Sequence, residues 1–265
     1  MALTNPAFST NPAFKENGQS AATATLSAEK LEQMYDAPSA TSTDTDRMTV
    51  EDTIVKTAVC FAFLLAGAVV GWIVPALAIP AALVGFVLAL VNIFKKKPSP
   101  ALILAYSAVQ GVFVGGISFV FESQWQSIVI QAVIGTLAVV GVTLALFASG
   151  KVRASKKATK IFLIAMFGYL AYSLVNVILM WTGVTSGTFG LSSDVRIFGI
   201  PLGVVIGIVV VLLGAYSLVL DFDAIKQGVA NRAPRIYGWS GAFGIMVTVI
   251  WLYLEILRLL AIARD

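Results

Sequence analysis

The chain has no histidine and one cysteine, Cys60. The first absence removes the commonest metal ligand and the usual general base. The second excludes an internal disulfide and a cysteine-built zinc site. Charge is scarce too: Asp, Glu, Lys and Arg make up 12% of the 265 residues, about half the share of a soluble domain. Acidic residues thin out sharply along the chain. Eight of the 14 (Glu16, Glu29, Glu32, Asp36, Asp44, Asp46, Glu51, Asp52) precede residue 53, and only Glu122, Asp194, Asp221, Asp223, Glu255 and Asp265 follow. Hydrophobic residues fill the space, at 58% of the chain and a mean hydropathy of +0.89. That composition describes a bundle of apolar helices in a membrane rather than a soluble core. No nucleophile has an evident base beside it, so neither an enzyme nor a cofactor is expected. A retinal protein is excluded because the last apolar segment has no lysine for a Schiff base. The net charge of +4 sits in short clusters between apolar segments, which argues against nucleic-acid binding.

Residues 1–50 are rich in Ser, Thr, Ala, Asn and charge, with too few apolar groups to drive folding. They are expected to be a disordered cytoplasmic tail, and no signal peptide is expected, since no basic start leads into an apolar run. The tail repeats a tetrapeptide: Asn5-Pro6-Ala7-Phe8, then Asn11-Pro12-Ala13-Phe14. Asn-Pro favours a turn that would present the following Phe. Two readings stand, a short linear motif for a partner or simple low complexity.

Residues 51–265 form the membrane domain. Apolar runs of about the ~20 residues that cross a bilayer fall near 54–73, 77–94, 101–121, 127–149, 159–181, 199–222 and 238–262. Only helices satisfy their own backbone in lipid, so the fold class is all-α, a polytopic seven-transmembrane-helix bundle. Lys95–Lys97 follow the second run, Lys151, Arg153, Lys156, Lys157 and Lys160 the fourth, and Lys226, Arg232 and Arg235 the sixth; the other connections carry only Arg196. The positive-inside rule then puts the N-terminus in the cytoplasm and the C-terminus outside. Trp72, Trp125 and Trp181 all fall at the outer interface in that topology, as an aromatic belt requires. Gly67 and Gly71, Gly111 and Gly115, and Gly203 and Gly207 recur at helical spacing and allow close helix approach, either within one bundle or between copies. Pro201, near the start of the sixth run, removes no helical bond there.

An ionisable group at membrane depth is expensive and marks function by default. Asp221 closes the sixth run and Glu255 lies inside the seventh. Asp221 and Asp223 are two apart and therefore on different helix faces; Asp223 reads as a solvated interfacial residue, and Asp221 as either inward-facing or interfacial. Glu255 and Arg258 are three apart and can pair on one face. That pair reads as a structural bridge with Arg258 snorkelling, or as part of a gate. Carboxylates sharing a dry site titrate as a unit, which would make a proton gate, and they offer hard oxygens to a passing divalent cation.

Several of these residues carry a family resemblance. Tyr106-Ser107-Ala108-Val109-Gln110-Gly111 with Gly115 and Ser118, Leu220-Asp221-Phe222-Asp223, and Leu252-Tyr253-Leu254-Glu255-Ile256 together resemble the Bax inhibitor family (transmembrane Bax inhibitor motif proteins) over roughly residues 50–263. The tail is similar to that of actinobacterial members of the bacterial branch. The resemblance implies seven helices with the last near the bundle centre. It also implies a proton-sensitive calcium leak gated by two acidic residues, here Asp221 and Glu255, which would hold Ca2+ transiently. Some bacterial members instead bind a membrane-anchored AAA protease. Three features depart from the family pattern. Gln110 stands where many members carry Glu, and Glu255 replaces the more usual Asp. The third is spacing: a simple hairpin turning near Asn231 levels Asp221 with a residue near 241 and sets Glu255 some ~14 residues, about 20 Å, further along.

The expected function is thus a pH-sensitive calcium-leak channel in a bacterial plasma membrane, with membrane lipids, protons and Ca2+ as its partners. The alternative is a non-transporting regulator docked on a membrane protease or similar complex.

Overall fold

The computed structural model describes residues 46–185 and 187–264. The Asn-Pro-Ala-Phe repeats, with the rest of residues 1–45, lie outside the described residues, as do Ser186 and Asp265. Among the described residues, seven helical spans are long and apolar enough to cross a membrane, the second and seventh counted with the short turns that lead into them. They are α1 (Val50–Ile73), α2 (Ala78–Phe94), α3 (Pro100–Gln124), α4 (Ile128–Ala148), α5 (Lys156–Trp181), α6 (Leu202–Ala230) and α7 (Gly238–Arg264). Short 3-10 turns, Pro75–Leu77 and Arg235–Tyr237, lead into α2 and α7. Between α5 and α6 lie one helical turn, Leu191–Asp194, and a two-residue antiparallel ribbon pairing Arg196 with Pro201 and Ile197 with Ile200.

The helix starts follow from local chemistry. The hydroxyl of Thr49 accepts from the amide of Asp52 at 3.1 Å, and that of Ser155 from Ala158 at 3.2 Å, each satisfying an orphan donor of the first turn. Pro100 opens α3 and Pro201 caps α6. One boundary differs from expectation. The sixth span ends at Ala230 rather than at 222, so Asp221 and Asp223 lie inside the helix rather than at its end. Apolarity stops at Phe222, but Lys226, Gln227 and their neighbours keep hydrogen-bonding through the polar interface until Arg232 turns with φ +52°.

The glycine pairs settle inside the bundle. α1 and α3 run parallel and touch backbone to backbone. A Cβ on Gly67 would collide with the carbonyl of Ala108, one on Gly71 with that of Val112, one on Gly111 with that of Leu64, and one on Gly115 with that of Ala68. Without a hydrophobic drive between helices in lipid, this close van der Waals packing is what joins them. Gly203 and Gly207 serve the α6–α7 hairpin: a Cβ on either would stand 2.7 Å from Ile262 or Leu259.

α7 is the most buried helix and α5 the least. Met246, Leu252, Leu257 and Ala261 of α7 are inaccessible and pack in one core with Cys60 and Leu64 of α1, Ile103 and Tyr106 of α3, Ile128 and Ala132 of α4, and Leu218 of α6. α5 has no fully buried residue.

Residues 46–49, assigned to the tail by composition, join this domain. The amide of Met48 donates to the carbonyl of Ala233 at 2.8 Å, and the amide of Arg235 donates to that of Asp46 at 2.9 Å. This strap bridges Arg47 to Pro234 and buries the Met48 side chain.

Candidate functional site

Asp221 is half-buried on α6 and faces α7. The Thr248 hydroxyl donates to its Oδ2 at 2.6 Å, and the Ser217 hydroxyl lies 3.4 Å from that of Thr248. Gly244 leaves room for the carboxylate: a Cβ there would come within 3.0 Å of Oδ1. The carboxylate lines a cavity of about 270 Å³ whose wall includes Tyr237 from the turn before α7, Ser240 and Gly241 from the start of α7, Gly228 from α6, and Met48 from the strap. One wall of the cavity is therefore built by the segment just before α1.

Glu255 sits elsewhere, buried to 8% exposure on α7. The Tyr169 hydroxyl on α5 donates to its Oε1 through a short hydrogen bond. Arg258 forms an ion pair with Oε2 at 2.8 Å, and its guanidinium lies 5.6 Å from the centre of the Tyr169 ring. Carboxylate, phenol and guanidinium thus close on one another and tie α5 to α7, although the Nε of Arg258 is buried without a hydrogen-bond partner.

The two acids do not meet. Thr248, the partner of Asp221, precedes Glu255 by about two helical turns, roughly 10 Å along α7. Asp221 levels with Gly244–Thr248 rather than with 241, because the turn centres on Ala233–Pro234 instead of Asn231. No three His, Cys, Asp or Glu side chains converge among the described residues. Asp221 and Glu255 are thus two separate carboxylates, apart as the spacing along the chain predicts. Asp223 points away from both. It accepts from Gln227 at 2.6 Å and lines a different cleft, against α5.

A third charged cluster has no counterpart in the sequence reading. Lys56, buried to 8% exposure within α1, donates to Asp52 through a short contact and to the carbonyl of Arg235 at 2.6 Å. Arg235 reaches the same carboxylate through Nε at 2.9 Å and Nη2 at 2.8 Å, and the Lys56 ammonium lies 5.7 Å from the Trp239 ring centre. A buried ammonium stays charged only where it is paired and hydrogen-bonded, and here it fastens the start of α1 to the α6–α7 turn. Tyr169 was also passed over, although its signal is present. Tyr169, Tyr172, Ser173 and Asn176 form a polar stripe at helical spacing in an otherwise apolar span. Tyr172 meets Ser192 at 2.8 Å, and the Asn176 side chain accepts from the amide of Leu191 at 2.8 Å and donates to the carbonyl of Phe189 at 3.1 Å.

The family model described as Bax inhibitor 1 like matches residues 5–265. The chain belongs to that family. The match reaches well into the N-terminal tail, beyond the 50–263 stretch that the motifs alone mark. No curated protein matches the chain. With seven spans and this family, it is a multi-pass membrane protein of the Bax inhibitor type.

Proposed function

We propose that this Bax inhibitor-type protein is a proton-regulated leak for cations, Ca2+ first among them, with Asp221 as the group that senses the proton. One observation carries the reading: a membrane helix places a single carboxylate on the wall of a cavity, held by one hydroxyl and, among the described residues, by no cation. A carboxylate so placed can take a proton or give its oxygens to a passing hard cation. Glu255, enclosed by Tyr169 and Arg258, acts as a brace that keeps α5 seated while Asp221 changes charge. The location that goes with this reading is a bacterial plasma membrane, with the cavity end cytoplasmic and the C-terminus outside, as the basic connections favour.

The test is calcium flux into liposomes holding the full chain, recorded across a pH series. Flux that changes with pH in the native protein and loses that change in Asp221→Asn supports the leak. Absence of flux at every pH, or a variant that behaves as native, overturns it. A second reading rests on the repeated Asn-Pro-Ala-Phe tail: docking on a membrane-anchored AAA protease or similar complex. Crosslinking with and without residues 1–20 distinguishes it, because an unchanged set of partners removes the tail from the account.

A further inference from the structure

We propose that the cleft between the start of α5 and the end of α6 binds the headgroup of an anionic phospholipid. The cleft holds about 590 Å³ and is the larger of the two cavities described; it shares only Ala224 with the lining of the Asp221 cavity. Lys156 and Lys160 line one side, four residues apart and so on one face of α5. Neither has an ion-pair partner among the described residues. Ser155 and Thr159 add hydroxyls, and the Tyr216 hydroxyl lies 3.0 Å from that of Thr159. Opposite them stands the one acidic group of the cleft, Asp223, whose carboxylate already accepts from Gln227 at 2.6 Å. The balance is positive, and Lys151, Arg153 and Lys157 add to it nearby.

The floor has the opposite character. Leu163, Leu220 and Ala224 line it, and α5 continues from it with Ile161, Ile164, Phe167 and Leu170 exposed by half or more. A molecule that fills this cleft therefore needs an anionic, hydrogen-bonding head and a long apolar tail lying along a membrane helix. Basic pockets between membrane helices recognise phospholipid headgroups on these terms. The loose seating of α5, which buries no residue completely, keeps the cleft open to lipid from the side. The proposal does not depend on cation conduction, because Asp223 and the two lysines do not line the Asp221 cavity.

The experiment uses the full chain in phosphatidylcholine vesicles carrying spin-labelled phosphatidylglycerol or spin-labelled phosphatidylcholine. The native protein is expected to immobilise the anionic label several-fold more strongly. Lys156→Gln with Lys160→Gln should remove most of that preference, and Lys156→Arg with Lys160→Arg should keep it. Lys96→Gln with Lys97→Gln removes the same charge from another connection and should leave the preference intact. A large excess of inorganic phosphate should not displace the label. Equal immobilisation of both lipids by the native protein overturns the proposal. So does an equal loss in the two glutamine pairs, which would mean diffuse surface charge, or displacement by phosphate, which would mean a site for the free anion. Unfolding temperatures of each variant in the same vesicles separate loss of binding from loss of fold.

Discussion

Thr248 donates its hydroxyl hydrogen to Asp221 across the α6–α7 interface, at 2.6 Å. That bond fixes the carboxylate towards α7 and the cavity, and so separates it from Asp223, its neighbour two positions on. The chemistry of the two aspartates should divide accordingly. In liposome flux measurements, Asp221→Asn is expected to flatten the pH response, and Thr248→Val to move its midpoint, since a hydrogen bond to the charged form is lost. Asp223→Asn should leave the response as it is. If Asp223→Asn alone flattened it, the assignment of Asp221 would fail.

Met48 forms one wall of the Asp221 cavity, held by the strap's hydrogen bond to Ala233. Its sulfur lies 3.1 Å from where a Cβ on Gly228 would stand. Met48→Ala should therefore widen the mouth and raise flux several-fold at any one pH, while the lost burial of this side chain costs about 2 kcal/mol of stability. Flux that stays at the native level would mean that the route does not pass this wall.

The two partners of the Glu255–Arg258 pair should not be equivalent in unfolding experiments in mixed micelles. Arg258 keeps 25% of its side chain exposed while Glu255 keeps 10%. Arg258→Ala leaves a buried carboxylate with only the Tyr169 hydroxyl, at a cost of about 2–3 kcal/mol. Glu255→Gln leaves an arginine that can snorkel towards water, and should cost less. In a double-mutant cycle, Tyr169→Phe and Glu255→Gln should couple by roughly 1–2 kcal/mol. Additive effects would show that the phenol and the carboxylate do not interact.

The α1–α3 seam makes a prediction about steric fit. Gly67→Val or Gly115→Val should prevent recovery of folded protein, because the added atoms would meet backbone carbonyls that cannot move aside. Gly141→Ala and Gly168→Ala meet nothing within 4 Å and should be neutral or stabilising by up to about 1 kcal/mol. Thermal unfolding of the four variants provides the comparison.

The architecture was legible because bilayer thickness dictates span length, and runs of that length have few readings. The glycine pairs were legible as close-packing surfaces, though not as partners of one another, since spacing within a helix says nothing about which helix faces it. The same limit hid the Lys56–Asp52–Arg235 cluster: Asp52 and Arg235 lie 183 residues apart, one just before the first apolar run and the other in the connection before the last. The separation of Asp221 from Glu255 was foreseen from chain length, but its size depended on where the turn centres. The polar stripe of α5 was within reach. Its period is that of a helix, and polar groups at that period in an apolar span require partners.

That stripe fixes how α5 is turned about its own axis. A helix held by packing can rotate and repack, but one held by Tyr169, Tyr172 and Asn176 has a single angular setting. One residue inserted just before Tyr169 would swing all three through about 100°. It would detach Glu255, Ser192 and the amide of Leu191 in one step, while adding no charge, removing no side chain and leaving the span as apolar as before.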